Sequence, residues 1–196
     1  MEMKLTDFIF TKELLNPYQV SAMIRTYKDS PIWKYAKIIK DSTLKIKEEQ
    51  VDLNERNVCV HPLRANSKSL TEIHWFNYMS KAIHNACIEY ANIHGFQHPV
   101  SHEGIDILRY EKGGFYKPHV DSSADGFRKY SIVTFLNNDY EGGQLRFFFK
   151  GINGEEYFDI QPEPGKCVIW PSTYLFMHAA LPVIEGTRYA MVSWCK

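Results

Sequence analysis

The sequence predicts an α+β fold, mainly β, with helices in the first half of the chain and strands in the second. Two observations carry this. Residues 69–95 place apolar side chains at helical spacing between capping residues. From Gly104 onward, short apolar stretches alternate with Gly- and Pro-containing turns, the pattern of a β-sandwich or barrel, a jelly roll among them. A length of 196 residues suits one domain with a sizeable core. The expected organisation is a single domain, with residues 1–103 as a helical N-terminal support region and 104–196 as the β core.

Each element has a local reason. Asn16-Pro17 reads as an N-cap followed by Pro at the first helical position, and Val20, Ile24 and Tyr27 then recur at helical spacing. Residues 41–68 are polar and charged, so one or two short strands and a mobile loop are expected there. Ser69 and Glu72 have capping-box spacing. Ile73, Phe76, Met79, Ile83, Ala86, Tyr90 and Ile93 follow in steps of three and four, and Gly95 suits the helix end. This helix is expected to lie with one face on a sheet. The strands then read GIDILRY, KYSIVTFLN, GQLRFFF, EYFDI, KCVIWP, YLFMHAALPV and TRYAMVSWC, separated by turns such as KGG, NNDYEGG and PEPG.

Composition narrows the function. Lys plus Arg and Asp plus Glu both total 23, so the chain lacks the positive charge expected of a phosphate-backbone binder. The N-terminus has scattered charges and no apolar core of a signal peptide, and no apolar run is long enough to span a membrane. Cys59, Cys87, Cys167 and Cys195 form no C-x-x-C, which fits reduced thiols in a cytoplasmic chain.

The chemistry gathers in a few residues. In an extended segment His119 and Asp121, two apart, face the same side. His178 lies 59 residues later in an apolar stretch. Two histidines and one carboxylate are the facial triad of non-haem Fe(II) oxygenases, which leaves coordination positions open; a three-ligand zinc site has a similar composition. Arg188 lies ten residues beyond His178, on one strand face with Ala190, Val192 and Trp194. A guanidinium inside a barrel needs an anionic partner, and a dicarboxylate would supply one through a bidentate pair.

From Arg109 to Trp194 the sequence resembles the prolyl 4-hydroxylase branch of the 2-oxoglutarate/Fe(II)-dependent dioxygenases. The matching segments are RYEKGGFYKPHVD, TFLNNDYEGGQLRF, IQPEPGKCVIWP and MHAALPVIEGTRYAMVSW. The resemblance implies a double-stranded β-helix (jelly-roll) core with the N-terminal helices packed on one sheet. It implies His119, Asp121 and His178 as iron ligands, Arg188 as partner of the distal carboxylate of 2-oxoglutarate, and Tyr110 as a further co-substrate contact. Tyr116 and Trp194 match aromatic positions lining the pocket. Phe135 departs from the hypoxia-sensing members, which have a Tyr there whose hydroxyl reaches the co-substrate. The implied activity uses Fe(II), 2-oxoglutarate and O2, releases succinate and CO2, and is supported by ascorbate. The implied substrate is a prolyl residue in a peptide or protein, hydroxylated at C4.

Blander readings compete. His94, His98 and His102 are spaced four apart, but Gly95 and Pro99 interrupt any helix, so they read as loop residues. Arg128, after the DSSADG loop, reads equally as a substrate contact or a solvated side chain. Trp194 and Tyr110 also suit simple packing. An oxidative nucleic-acid demethylase usually carries Arg-x-Asn-x-x-x-Arg after the distal His, and here Ala190 and Trp194 occupy the Asn and second Arg positions. A hydroxylase of a small molecule or free amino acid stays open. Family members cover substrate with a loop before the core, so Val51–Ser69 is expected to be a mobile lid.

Overall fold

The computed structural model describes residues 4–41, 47–122, 128–149 and 156–196. In chain order these form β1 (Phe10–Glu13), α1 (Pro17–Tyr27), β2 (Lys34–Tyr35), β3 (Ile38–Asp41), β4 (Lys47–Gln50), β5 (Arg56–Asn57), β6 (Cys59–Leu63) and α2 (Leu70–His94). The second half holds β7 (Ile105–Tyr110), β8 (Phe115–His119), β9 (Tyr130–Phe135), β10 (Glu141–Gly142), β11 (Leu145–Phe148) and β12 (Tyr157–Ile160). It ends with β13 (Lys166–Pro171), β14 (Met177–Ala180), β15 (Val183–Glu185) and β16 (Arg188–Cys195). The described residues are mainly β, with two α-helices among them.

Antiparallel pairing builds a seven-stranded sheet in the order β1-β13-β9-β16-β7-β6-β2 and a five-stranded sheet in the order β12-β11-β14-β8-β5. The central strands of the larger sheet are buried on both faces, and period two sorts their side chains. Ile105 and Ile107, Ile132, Cys167 and Ile169, and Met191 and Cys195 share a core with Met79, Ile83, Cys87 and Tyr90 of α2. The alternate residues, Leu108 and Tyr110, Val133 and Phe135, Val168 and Trp170, Ala190 and Val192, share a second core with Leu145 and Phe147 of the smaller sheet. All six residues of β9 are buried as a result. Arg188, in step with Ala190, falls on the second face, between the sheets.

The helix ends follow their caps. Asn16 and Gln19 form a reciprocal capping box at α1, with Pro17 in the first turn. At α2 only half of the predicted box forms. Ser69 accepts from the Glu72 backbone N–H at 3.3 Å. The Glu72 carboxylate instead accepts from the Arg64 backbone N–H and the Ser67 hydroxyl, at 3.0 and 2.9 Å. Gly95 ends α2 in the left-handed region at φ 67°, leaving His98 and His102 outside the helix.

One expectation needs correction and another gains detail. The stretch YLFMHAALPV is not one strand: Tyr174–Phe176 form a 3-10 turn, and Leu181 and Pro182 separate β14 from β15. More consequentially, the lid expected over Val51–Ser69 contains two short strands, β5 and β6, both paired into sheets. Within Val51–Ser69, β6 pairs with β7 along its whole length, from Cys59↔Arg109 to Leu63↔Ile105, and β5 joins the smaller sheet beside β8. The first 103 residues are thus more than helical support, since β1, β2 and β6 extend the larger sheet. Pro62 and His61 kept the bounds of β6 from being read in the sequence. Pro is tolerated because β2 covers only Cys59 and Val60, so the outer edge at Pro62 carries no ladder. His61 is buried between the rings of Tyr27 and Trp33, at centroid distances of 4.8 and 5.5 Å. Amide hydrogen exchange should therefore be slow across β6 and equally slow with and without substrate. Rapid exchange there, slowed on addition of substrate, would restore the lid.

Candidate metal and anion site

β8 and β14 are neighbours in the smaller sheet, and their register sets His119 directly opposite His178. The two imidazoles lie 4.3 Å apart between centroids. β8 ends at His119, so Asp121 stands two residues beyond the strand rather than within it. It still reaches the same point: one ligand atom from each of His119, Asp121 and His178 lies within 4.8 Å of the others. Asp121 Oδ1 is 3.7 Å from His119 Nε2, and Oδ2 is 3.4 Å from His178 Nε2. Asp121 and His178 are buried.

Backbone carbonyls fix which nitrogen faces inward. His119 Nδ1 is 2.8 Å from the Lys117 carbonyl, and His178 Nδ1 is 2.9 Å from the Phe176 carbonyl. A carbonyl only accepts, so both Nδ1 atoms carry hydrogen. In the neutral rings, the Nε2 lone pairs then face the Asp121 carboxylate. Such an outer hydrogen bond is what orients a metal-binding imidazole. Burial, followed by the proximity of His178, pushes the His119 pKa down to about 3. Burial alone would raise the Asp121 carboxyl, but the two histidines, Ser131 and Trp194 outweigh it and hold it below its usual range. The Trp194 indole N–H acts on that carboxylate without normal hydrogen-bond geometry. Two imidazoles presenting Nε2 and one carboxylate are a donor set that fits a divalent cation with open positions. The second core walls the cluster, with Trp170 and Phe147 at 4.9 and 5.7 Å from the His178 ring.

Arg188 starts β16, opposite Tyr110 of β7. It is only 2% exposed. Its guanidinium sits 4.9 Å from the Tyr110 ring and 5.8 Å from the Phe135 ring. Its Nε and Nη1 have no hydrogen-bond partner, and among the described residues no carboxylate pairs with it. An unpaired buried charge is costly, and its natural complement is an anion. Arg188 lines one inner cavity together with His119, Asp121 and His178. The Gly142-Gly143 turn helps make this possible. At Gly142 φ is +73° and a Cβ would stand 2.4 Å from the Pro182 carbonyl, while a Cβ at Gly143 would meet Arg188 Cδ at 3.4 Å.

The remaining candidates divide between depths. Tyr110 is buried beside Arg188. Tyr116 stacks on His119 at 3.6 Å. Trp194 lies under the Arg128 guanidinium at 4.0 Å, and Arg128 also pairs with Glu103 at 2.6 Å. Tyr116, Arg128 and Trp194 line an outer groove of about 700 Å³ that meets the inner cavity at His119 and Asp121. Residues 123–127 of the loop before Arg128 lie outside the described residues. Two residues escaped the sequence reading. Arg56 stacks 4.6 Å from the Tyr116 ring and lines both cavity and groove, yet it sits in the polar stretch whose short strands had no readable bounds. Tyr140 packs beside Arg188; its place before the Gly-Gly turn was the only available signal.

Comparison with known proteins agrees with this geometry. Residues 105–196 match the 2OG-Fe(II) oxygenase superfamily. A PKHD-type hydroxylase of Maricaulis maris is 30% identical over 118 residues, which is 58% of this chain and 51% of that protein. Prolyl 4-hydroxylase 1 of Arabidopsis thaliana is 28% identical over 116 residues, 48% of this chain and 41% of that one. The chain thus spans about half the length, or less, of the curated relatives it matches. Among solved structures, a Trichoplax adhaerens prolyl hydroxylase in complex with a hypoxia inducible factor peptide superposes with a TM-score of 0.74 at 17% identity, covering 97% of this chain and 84% of that one. A Pseudomonas putida prolyl-4-hydroxylase gives 0.67 at 19% identity, covering 96% and 92%. These two share the fold. No helix among the described residues is long and apolar enough to cross a membrane. Over residues 105–196, just under half of its length, the chain is similar to the 2OG-Fe(II) oxygenase superfamily, and prolyl 4-hydroxylases are among the proteins it resembles.

Proposed function

We propose that this chain is an Fe(II)- and 2-oxoglutarate-dependent dioxygenase that 4-hydroxylates prolyl residues in a peptide or protein. The observation that carries the reading is a buried guanidinium without an anionic partner, sharing a cavity with a two-histidine, one-carboxylate cluster. His119, Asp121 and His178 hold the iron, and Arg188 pairs with the distal carboxylate of 2-oxoglutarate beside Tyr110. When bound, iron and co-substrate supply the oxidation, in which 2-oxoglutarate, O2 and a substrate C–H become succinate, CO2 and C–OH. The protein supplies position, charge and exclusion of water. The inner cavity is about 40 Å³. It shares Arg56, Tyr116, His119, Asp121 and Trp194 with the larger outer groove. Ascorbate is expected to restore iron after uncoupled turnovers.

The outer groove suits an extended chain. Tyr116 and Trp194 offer aromatic walls for a pyrrolidine ring, which has no donor to grip, and Arg128 stands at the rim for a peptide carbonyl. A Pro-rich segment is already extended, so ordering it costs little. A free amino acid would need paired binders for its ammonium and carboxylate near the metal. Arg188 is committed to the co-substrate, which leaves Arg56 as the other cation lining the cavity, and the substrate assay below separates the two readings.

His119→Ala, Asp121→Ala and His178→Ala should each abolish succinate release while circular dichroism stays folded; full turnover in the His178→Ala protein would refute the ligand set. Truncating one side of a buried charged pair costs roughly 2–5 kcal/mol. Arg188→Ala should therefore raise the KM for 2-oxoglutarate more than tenfold, with Arg188→Lys losing less. An unchanged KM would show that another residue holds the distal carboxylate. For the substrate, mass spectrometry of Pro-rich peptides incubated with the enzyme should show one added oxygen on proline. Turnover of free proline with no peptide turned over would replace the peptide reading with a small-molecule one.

A further inference from the structure

Arg188 has a polar neighbour that the reading so far does not use. Tyr140 stands in the turn just before β10. A Cβ placed at Gly143 would meet Tyr140 Cε2 at 3.2 Å and Arg188 Cδ at 3.4 Å, so the two side chains converge on this glycine from either side. The Tyr140 hydroxyl, Arg188 Nε and Arg188 Nη1 are buried without a hydrogen bond of normal geometry; the phenol oxygen stands near enough to the guanidinium to accept weakly from it, which leaves the phenol hydrogen without an acceptor. Burial raises the pKa of this phenol while the Arg188 charge opposes the rise, which keeps Tyr140 protonated and therefore able to donate.

Packing does not explain the hydroxyl. The Tyr140 ring wedges the Gly-Gly turn, and Tyr140 also crowds Gly186, where a Cβ would stand 3.2 Å from Tyr140 Cα and Cβ. A phenylalanine would do both without burying an O–H. Phe135, 5.8 Å from the guanidinium, brings no donor. Around the buried charge there are thus unpaired N–H groups and an unpaired O–H, all donors. A carboxylate has two oxygens and about four acceptor sites, enough for a bidentate guanidinium and one phenol.

We propose that Tyr140 is a further ligand of the distal carboxylate, its hydroxyl donating to the group that Arg188 pairs with, and that it thereby selects a 2-oxo dicarboxylate over a 2-oxo monocarboxylate. This rests on the 2-oxoglutarate reading above. The reaction itself is untouched: Tyr140 acts on the end of the co-substrate remote from the metal.

The test is oxygen-free calorimetry on the full chain loaded with Mn(II), titrated with 2-oxoglutarate and with 2-oxobutanoate, which lacks the distal carboxylate. Tyr140→Phe keeps the ring and removes only the hydroxyl. Its affinity for 2-oxoglutarate should fall about tenfold, the scale of a hydrogen bond to a charged group. Its affinities for Mn(II) and for 2-oxobutanoate should match those of the unchanged protein. A 2-oxoglutarate affinity within twofold of the unchanged protein would overturn the proposal, and so would an equal loss for both ligands, which would assign Tyr140 to packing. If 2-oxobutanoate binds too weakly to titrate, the 2-oxoglutarate and Mn(II) affinities decide alone. Failure is distinguishable from that of the parent reading, because an unchanged protein that binds Mn(II) but no 2-oxoglutarate removes the co-substrate assignment itself.

Discussion

A guanidinium buried between two sheets without an anionic partner is the constraint around which this structure is arranged. Arg188 opens the central strand β16, flanked by β9 and β7, and its whole side chain lies on the inner face. The next inward residues of that strand, Ala190 and Val192, are small, which leaves space beside the charge before Trp194. Tyr110 and Phe135 offer ring faces to the guanidinium, a contact worth about 2 kcal/mol when desolvated. That is small beside the several kcal/mol that burial of a charge costs after relaxation. The rings soften the cost and do not remove it; in the proposed function a dicarboxylate does.

The metal side solves a related problem by different means. Three ligands are brought together without strain because two of them face each other across one antiparallel pair and the third follows two residues beyond the first. The carbonyls of Lys117 and Phe176, each two residues before its histidine, hold the ring nitrogens in the tautomer that exposes Nε2. One strand and one 3-10 turn thus do for the imidazoles what a separate set of side chains would otherwise do. Asp121 supplies the negative charge, and Arg188 the positive one, to the same inner cavity.

Much of this was legible in the sequence where a period or a cap is strong. α2 was bounded by Ser69 and Gly95, β7, β9, β13 and β16 announced themselves by apolar runs, and period two placed Arg188 on the face shared with Ala190, Val192 and Trp194. The cluster of His119, Asp121 and His178 was readable from residue type and order, although the extended-strand argument for Asp121 was too simple, since the strand stops at His119. What stayed hidden had local signals that pointed elsewhere. β6 contains a proline and a buried histidine whose neighbours, Tyr27 and Trp33, are distant in sequence. Arg56 lay in the same polar stretch, where short strands were expected without bounds. Tyr140 looked like turn chemistry because its meaning depends on Arg188, 48 positions later in the chain.

The central claim is that one cavity binds a metal at one end and a distal carboxylate at the other. A crystal structure of the protein grown without oxygen with Mn(II) and 2-oxoglutarate tests it most directly. The account predicts anomalous scattering from a single ion held by Nε2 of His119 and His178 and by the Asp121 carboxylate, with the far carboxylate of the ligand paired to Arg188. An ion bound elsewhere, or a ligand whose far carboxylate leaves the Arg188 guanidinium unpaired, would contradict it.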